Sequence, residues 1–281
     1  MNRRALARLL LAPLLLAVQG LHAQGYASIT AQLKAIAAAA NDAGRDSASA
    51  NVKRLLGAIL GSDTAFSARF KDVPVSQVNA PDGAFRLFTW NVQHSDGSFL
   101  YEGFLLVKQR KGQALYALRD MTDHITRPAA ALLSPENWYG ALYYEVVPVK
   151  HGGHAYYTLL GWKGFSGVET RKVVEVLDLG GPKPKFGAAL FPAEKPRSLR
   201  QVFAYSAQGS MLLRWDASRK AIVLDHLSPT RPELAGQPAY MAPDMSFDSY
   251  TWDKGRWRLE RDIDLRGPGG RPYKAPPKDT P

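Results

Sequence analysis

The 281-residue chain carries 36 Lys and Arg against 25 Asp and Glu, a net charge of +11, and contains no cysteine. Disulfide staples are excluded, as is the lipid-modified cysteine that anchors bacterial lipoproteins, so the fold must stand on its core. The length suits one large domain or two small ones.

Arg3, Arg4 and Arg8 precede an apolar run from Leu9 to Val18, broken only by Pro13, and Leu21-His22-Ala23 ends in a small residue. This three-part pattern predicts a secretory signal over residues 1–23. A membrane-spanning helix needs roughly 20 apolar residues, and neither this run nor any later segment supplies them. The expectation is a soluble protein, periplasmic or secreted, not lipid-anchored, with no integral membrane segment after cleavage. Without the leader's arginines, 33 basic residues face 25 acidic ones, a net charge of +8.

Residues 24–78 read as a helical N-terminal region. Ile29, Leu33, Ile36 and Ala40 form one apolar stripe, and Val52, Leu55, Leu56, Ile59 and Leu60 form a fuller one. Asn41-Asp42-Ala43-Gly44 separates them, with Asp46 or Ser49 as the expected cap of the second helix. Phe66 and Phe70 extend the pattern by another turn.

Residues 79–266 change to a period of two. Extended runs meet at Asp96-Gly97, Lys111-Gly112, Gly152-Gly153, Gln208-Gly209 and Lys254-Gly255, and Ala217 to Lys220 joins Trp215 to a further strand. About ten strands result. The hairpin Tyr143–Trp162 is apolar on both faces and is expected to lie under a second layer. The fold class is α+β: short N-terminal helices on a large meandering antiparallel sheet, as a sandwich or incomplete barrel. A propeller is the less favoured topology, because Ala80-Pro81-Asp82-Gly83 has no repeat at blade spacing. Residues 267–281, rich in Pro, Gly and charge, are expected to be disordered.

Two short segments concentrate chemistry. Asp225-His226-Leu227-Ser228-Pro229 holds the residue types of a hydrolase triad, but strand neighbours point to opposite faces, and no Gly-x-Ser-x-Gly elbow is present. The alternative is that Asp225 closes the strand and bonds the turn entering Pro229. Pro243 to Asp248 places oxygen ligands at Asp244, Ser246 and Asp248, as a calcium loop begins. Ser249 and Gly255 then stand where such a loop needs Gly and Glu, leaving a looser calcium site or simple turn capping. No other cofactor is expected.

His151 and His154 face each other across a two-residue turn but are too few for closed zinc, and Glu145 is too distant to join them. The many aromatic residues, Trp90, Trp138, Tyr143, Tyr157, Trp162, Trp215 and Trp257 among them, suit core packing, with sugar stacking as the functional alternative. The densest basic region, Lys254 to Lys278, is interleaved with acids and reads as a solvated face; attraction to anionic envelope surfaces is its functional alternative. No nucleic-acid motif is present, and nucleic-acid binding is not expected.

Four stretches, Phe85 to Asn91, Tyr156 to Trp162, Asp225 to Pro229 and Pro243 to Asp248, together resemble an uncharacterised family of exported bacterial proteins over most of residues 50–262. The resemblance implies export and no assigned activity. Many relatives are lipoprotein-like, and the missing cysteine departs from that pattern. Two functions are then expected as alternatives. The first is a non-enzymatic protein that binds a cell-envelope glycan or protein partner through an aromatic and basic groove. The second is a periplasmic hydrolase of glycans or peptides using Asp225, His226, Asp244 and Asp248.

Overall fold

The computed structural model describes residues 24–70, 72–192 and 197–265. The expected leader over 1–23 and the expected tail over 267–281 lie outside the described residues. Among the described residues the fold is α+β, with N-terminal helices on three antiparallel sheets and no closed barrel. None of its described helices is long and apolar enough to cross a membrane.

Helix α1 covers residues 24–38 and α2 is Asp42–Leu60. Asn41, extended at φ −147°, accepts the Gly44 N–H at 2.9 Å and caps α2. The start therefore lies ahead of Asp46 and Ser49. Both sit inside the helix and reach the sheet, Asp46 to the His94 ring and Ser49 as acceptor of the Trp90 indole N–H. Phe66 and Phe70 do not prolong α2, which ends at Leu60. The buried Arg86 guanidinium donates to the carbonyls of Ala65 and Ala68, each at 2.7 Å, so these groups turn toward a cation instead of a helical ladder.

The first sheet has the order β1 (Ser76–Asn79), β2 (Phe85–Gln93), β3 (Phe99–Lys108) and β4 (Gln113–Arg119). The second contains β5 (Leu142–His151), β6 (His154–Gly164), β7 (Glu169–Asp178) and β8 (Lys185–Phe186), with β9 (Gln201–Ser206) also on β7. The third has β10 (Leu213–Asp216), β11 (Ala221–Pro229), β12 (Met241–Asp253) and β13 (Arg256–Glu260). The expected single meander is thus divided in three. Gln208-Gly209 does not make a hairpin, because β9 pairs with β7 whereas β10 pairs with β11. The glycine corners at 97, 112, 153 and 255 do turn hairpins, each at positive φ, a conformation glycine adopts at little cost.

Alternation along β2 shows how the layers stack. Phe85 and Leu87 pack toward the second sheet, whereas Phe88, Trp90 and Val92 pack toward Val52, Leu56 and Leu60 of α2 and Ile29 and Ile36 of α1. The second sheet is also covered on both faces, as its apolar hairpin suggested. Tyr143, Tyr157 and Leu159 meet the first sheet, while Val147, Val149 and Leu160 meet Leu224 and Trp257 of the third. Each buried aliphatic or aromatic side chain in these layers contributes about 1.5–3 kcal/mol. One ion pair crosses the core: Arg200 Nε lies 2.7 Å from Glu175, both fully buried, and the guanidinium also donates to the Ala131 and Phe186 carbonyls. Burial raises the Glu175 pKa even with the arginine beside it.

Candidate functional site

The segment from Pro243 to Asp248 is bulged strand, not loop. Asp225 pairs with Phe247 and Leu227 with Pro243, so the single residue His226 is opposed by Asp244, Met245 and Ser246. Met245 lies at φ 72°, a left-handed conformation costing of order 1–3 kcal/mol, and the residue is 92% exposed. His226 Nδ1 meets Asp248 Oδ2 at 2.9 Å, and the buried Asp248 also accepts the Asp262 N–H at 3.1 Å. Asp244 accepts the Ser228 hydroxyl at 2.6 Å and the Ser246 hydroxyl at 2.7 Å; these bonds, Ser228's first, pull its carboxyl down to about 2.

Asp225 stands apart. It neither closes β11, which runs on to Pro229, nor bonds the turn there; its carboxylate accepts the Leu212 N–H at 2.7 Å. The bulge therefore gathers His226, Asp244, Ser246 and Asp248 and leaves Asp225 out. Its His–Asp pair orients an imidazole, but the nearby Ser228 hydroxyl is donated to Asp244 rather than to the ring. Among the described residues, no cluster of three or more His, Asp and Glu has a metal-holding arrangement.

The other histidines also separate. His154 meets Asp178 at 2.7 Å, whereas His151 packs against Gly255 of the β12–β13 corner. Glu145 accepts the Trp215 N–H at 2.8 Å and ties β5 to β10. Trp90, Trp138, Tyr143, Tyr157 and Trp257 are all buried, so the aromatic set belongs largely to the cores.

A second constellation lies between β3 and β6. Lys163 is 1% exposed; its ammonium donates to Thr122 Oγ1 and the Gly140 carbonyl, each at 2.8 Å, beneath the Tyr101 and Tyr139 rings. Burial pushes its pKa down to about 8, opposed by the Asp120 carboxylate. Asp120 in turn accepts the Tyr101 N–H at 3.0 Å and the Thr122 hydroxyl. A cavity of about 210 Å³ adjoins this group, lined in part by His94, Asp123, His124 and Lys163. Every proton on Lys163 has an acceptor or a ring face, so the amine is held as a structural cation.

A cavity of about 660 Å³ lies between α1 and the end of β2. Leu33, Ile36 and Ala37 of α1 form one wall, Pro74 and Leu142 the other, and Thr89, Trp90, Asn91 and Gln93 the floor. Lys34, Arg45 and His94 stand at its rim. Arg45 is paired with Asp42 and His94 with Asp46, whereas Lys34 has no partner among the described residues. Asp42 also accepts the Ser95 N–H at 3.0 Å, so α2 fixes the β2–β3 corner that closes one end. Among the described residues, no carboxylate lines this cleft.

No family model, curated protein or solved structure matches this chain.

The cleft escaped the sequence reading because its floor consists of ordinary strand residues. Lys163 escaped because a single lysine in an apolar strand carries no motif. The one available signal was Lys163 itself, a charge at a position of β6 where the alternation demands burial.

Proposed function

We propose that the protein is a non-enzymatic binding protein of the cell envelope that holds a glycan or protein partner in the cleft between α1 and β2. The supporting observation is the 660 Å³ cleft itself. Its volume falls in the range of about 300–1,000 Å³ that ligand sites occupy. Its walls are apolar, its rim is basic, and its lining holds no acid facing a base and nucleophile. The N-terminal leader pattern and the resemblance to exported proteins support the envelope location.

The test uses residues 24–281 labelled with a fluorophore and mixed separately with peptidoglycan, lipopolysaccharide and purified envelope proteins. Ala37→Trp fills the cleft from an exposed helix position. Binding of one class that Ala37→Trp abolishes and His226→Ala preserves supports the proposal. Binding indifferent to Ala37→Trp overturns it.

The oriented imidazole at the β11–β12 bulge favours a second reading, hydrolysis of glycans or peptides. Turnover of peptidoglycan or casein by the wild type, lost in His226→Ala and in Asp248→Asn, would support that reading; no turnover would remove it.

A further inference from the structure

We infer that the occupant of the cleft is an extended peptide segment of acidic character, which adds as a strand to the free edge of β2. This inference rests on the binding reading above and narrows it to one chemistry.

The edge is identified by which way the backbone groups point. β1 pairs with β2 only along residues 86–89, opposite Asn79 to Ser76, while β2 continues to Gln93. Among the described residues, β2 beyond Thr89 is paired with a strand on the β3 side alone. The His94 N–H donates to the Ser98 carbonyl at 2.9 Å, on the β3 side. Strand alternation then directs the N–H and C=O of Val92 to β3 as well, and those of Asn91 and Gln93 to the opposite side. The partner strand agrees: Tyr101, opposite Asn91, sends its N–H to Asp120 and not to β2. On the β1 side, the Ala80 N–H bonds the Phe85 carbonyl, which sets the same parity from the other end of β2. Asn91 and Gln93 thus present two donors and two acceptors on the cleft side of β2, where no described strand pairs with them.

An unpaired edge is a template for another strand, and proteins normally cover or charge such edges. Here the edge lies at the floor of a cavity. A strand laid along residues 90–93 spans about 14 Å and offers main-chain groups in the matching order. Its side chains alternate between the two walls, one set toward Leu33, Ile36 and Ala37 and the other toward Leu142. The walls therefore take small or β-branched apolar groups. Lys34, exposed and without an ion-pair partner, supplies the charge that an acidic residue of the peptide would meet. A glycan or lipid would use the cavity without needing strand-spaced donors and acceptors.

The probe is a set of end-blocked peptides of about seven residues, enough to span the edge at strand rise, with Val or Thr at the central positions and Asp or Glu toward one end or the other. Binding is read by anisotropy and by amide shifts of the labelled protein. The expected result is saturable binding with the largest shifts at Asn91 and Gln93, abolished by Ala37→Trp and weakened about tenfold by Lys34→Glu. N-methylation of alternate peptide residues in one phase should abolish binding, and in the other phase leave it. Tolerance of both phases overturns strand addition, and an unchanged affinity in Lys34→Glu overturns the acidic preference. If every peptide fails while peptidoglycan or lipopolysaccharide binds in a manner that Ala37→Trp abolishes, this inference falls and the binding reading stands. If no ligand of any class responds to Ala37→Trp, the binding reading itself falls.

Discussion

The β11–β12 bulge and the free end of β2 differ in where their hydrogen-bonding capacity goes. At the bulge, each polar side chain has a partner nearby: Asp248 holds His226 and the Asp262 N–H, and Asp244 holds two serine hydroxyls. At the end of β2, the side chains are ordinary strand residues and the main chain has no paired strand on one side among the described residues, beside a cavity whose one basic group without an ion-pair partner there is Lys34. Buried or half-buried polar groups that satisfy one another act on stability, because removing one strands the other. Groups that face a cavity unsatisfied act on ligands. A concentration of Asp, His and Ser along a sequence is therefore a poorer guide to a binding surface than an interruption in strand pairing.

That contrast is sharpened most by the interior pairs, which carry the self-satisfied pattern furthest. Glu175→Ala leaves the Arg200 guanidinium buried without its carboxylate and should lower stability by about 3–5 kcal/mol, read by chemical unfolding. A loss near zero would show that the core relaxes around Arg200.

Lys163 offers the next largest effect and a pH signature. Its pKa of about 8 in the fold lies below the ordinary 10.5, so between these values the unfolded chain binds a proton that the folded chain does not. Stability contributed through this site is lowest below pH 8 and rises as pH increases, by about 3 kcal/mol at most. The difference in unfolding free energy between wild type and Lys163→Met should grow in favour of wild type from about pH 7.5 to pH 10. A difference independent of pH would contradict the burial of this amine.

At the bulge, Asp248→Ala should cost about 1–3 kcal/mol, because the His226 ring and the Asp262 N–H both lose their acceptor. Asp244 is exposed, and its carboxyl, held down near 2, keeps its hydroxyl partners until the pH falls toward that value. Asp244→Ala should move the melting temperature less than Asp248→Ala does. Reversal of that order would break the contrast between the buried and the exposed carboxylate.

The cleft variants should move stability least. Ala37→Trp and Lys34→Glu alter exposed helix positions and are expected to stay within about 0.5 kcal/mol of wild type by thermal melting, while binding is lost or weakened. A large destabilisation by either would place the cleft among the structural regions. A calcium chelator should leave the melting curve of the wild type unchanged; a fall absent from an Asp244→Ala, Asp248→Ala double variant would assign calcium to the bulge.

Much of the fold was legible locally. Glycine-bearing corners turned hairpins where the period-two pattern met them, as at Gly97 and Gly153, and the stripes at Ile29 and Val52 became the buried faces of α1 and α2. Features that depend on distant partners were not legible. β7 hides behind Arg171, Lys172 and Glu175, and its glutamate is tolerable only because Arg200 arrives from elsewhere in the chain. The oxygen-rich run from Asp244 to Asp248 looks like a loop, yet pairing with β11 holds it extended. Asp46 and Ser49 look like caps but serve the β2–β3 corner and Trp90. The cleft was the least visible of all, since it exists because β1 stops at Ser76 while β2 continues.

The free edge of β2 is tested most directly by amide hydrogen exchange in the unliganded protein. The Asn91 and Gln93 amides should exchange rapidly while Val92, which faces β3, stays protected in the same stretch of chain. Equal, strong protection at Asn91, Val92 and Gln93 would mean that the edge is already paired, and the cleft would lose the backbone groups on which its assignment depends.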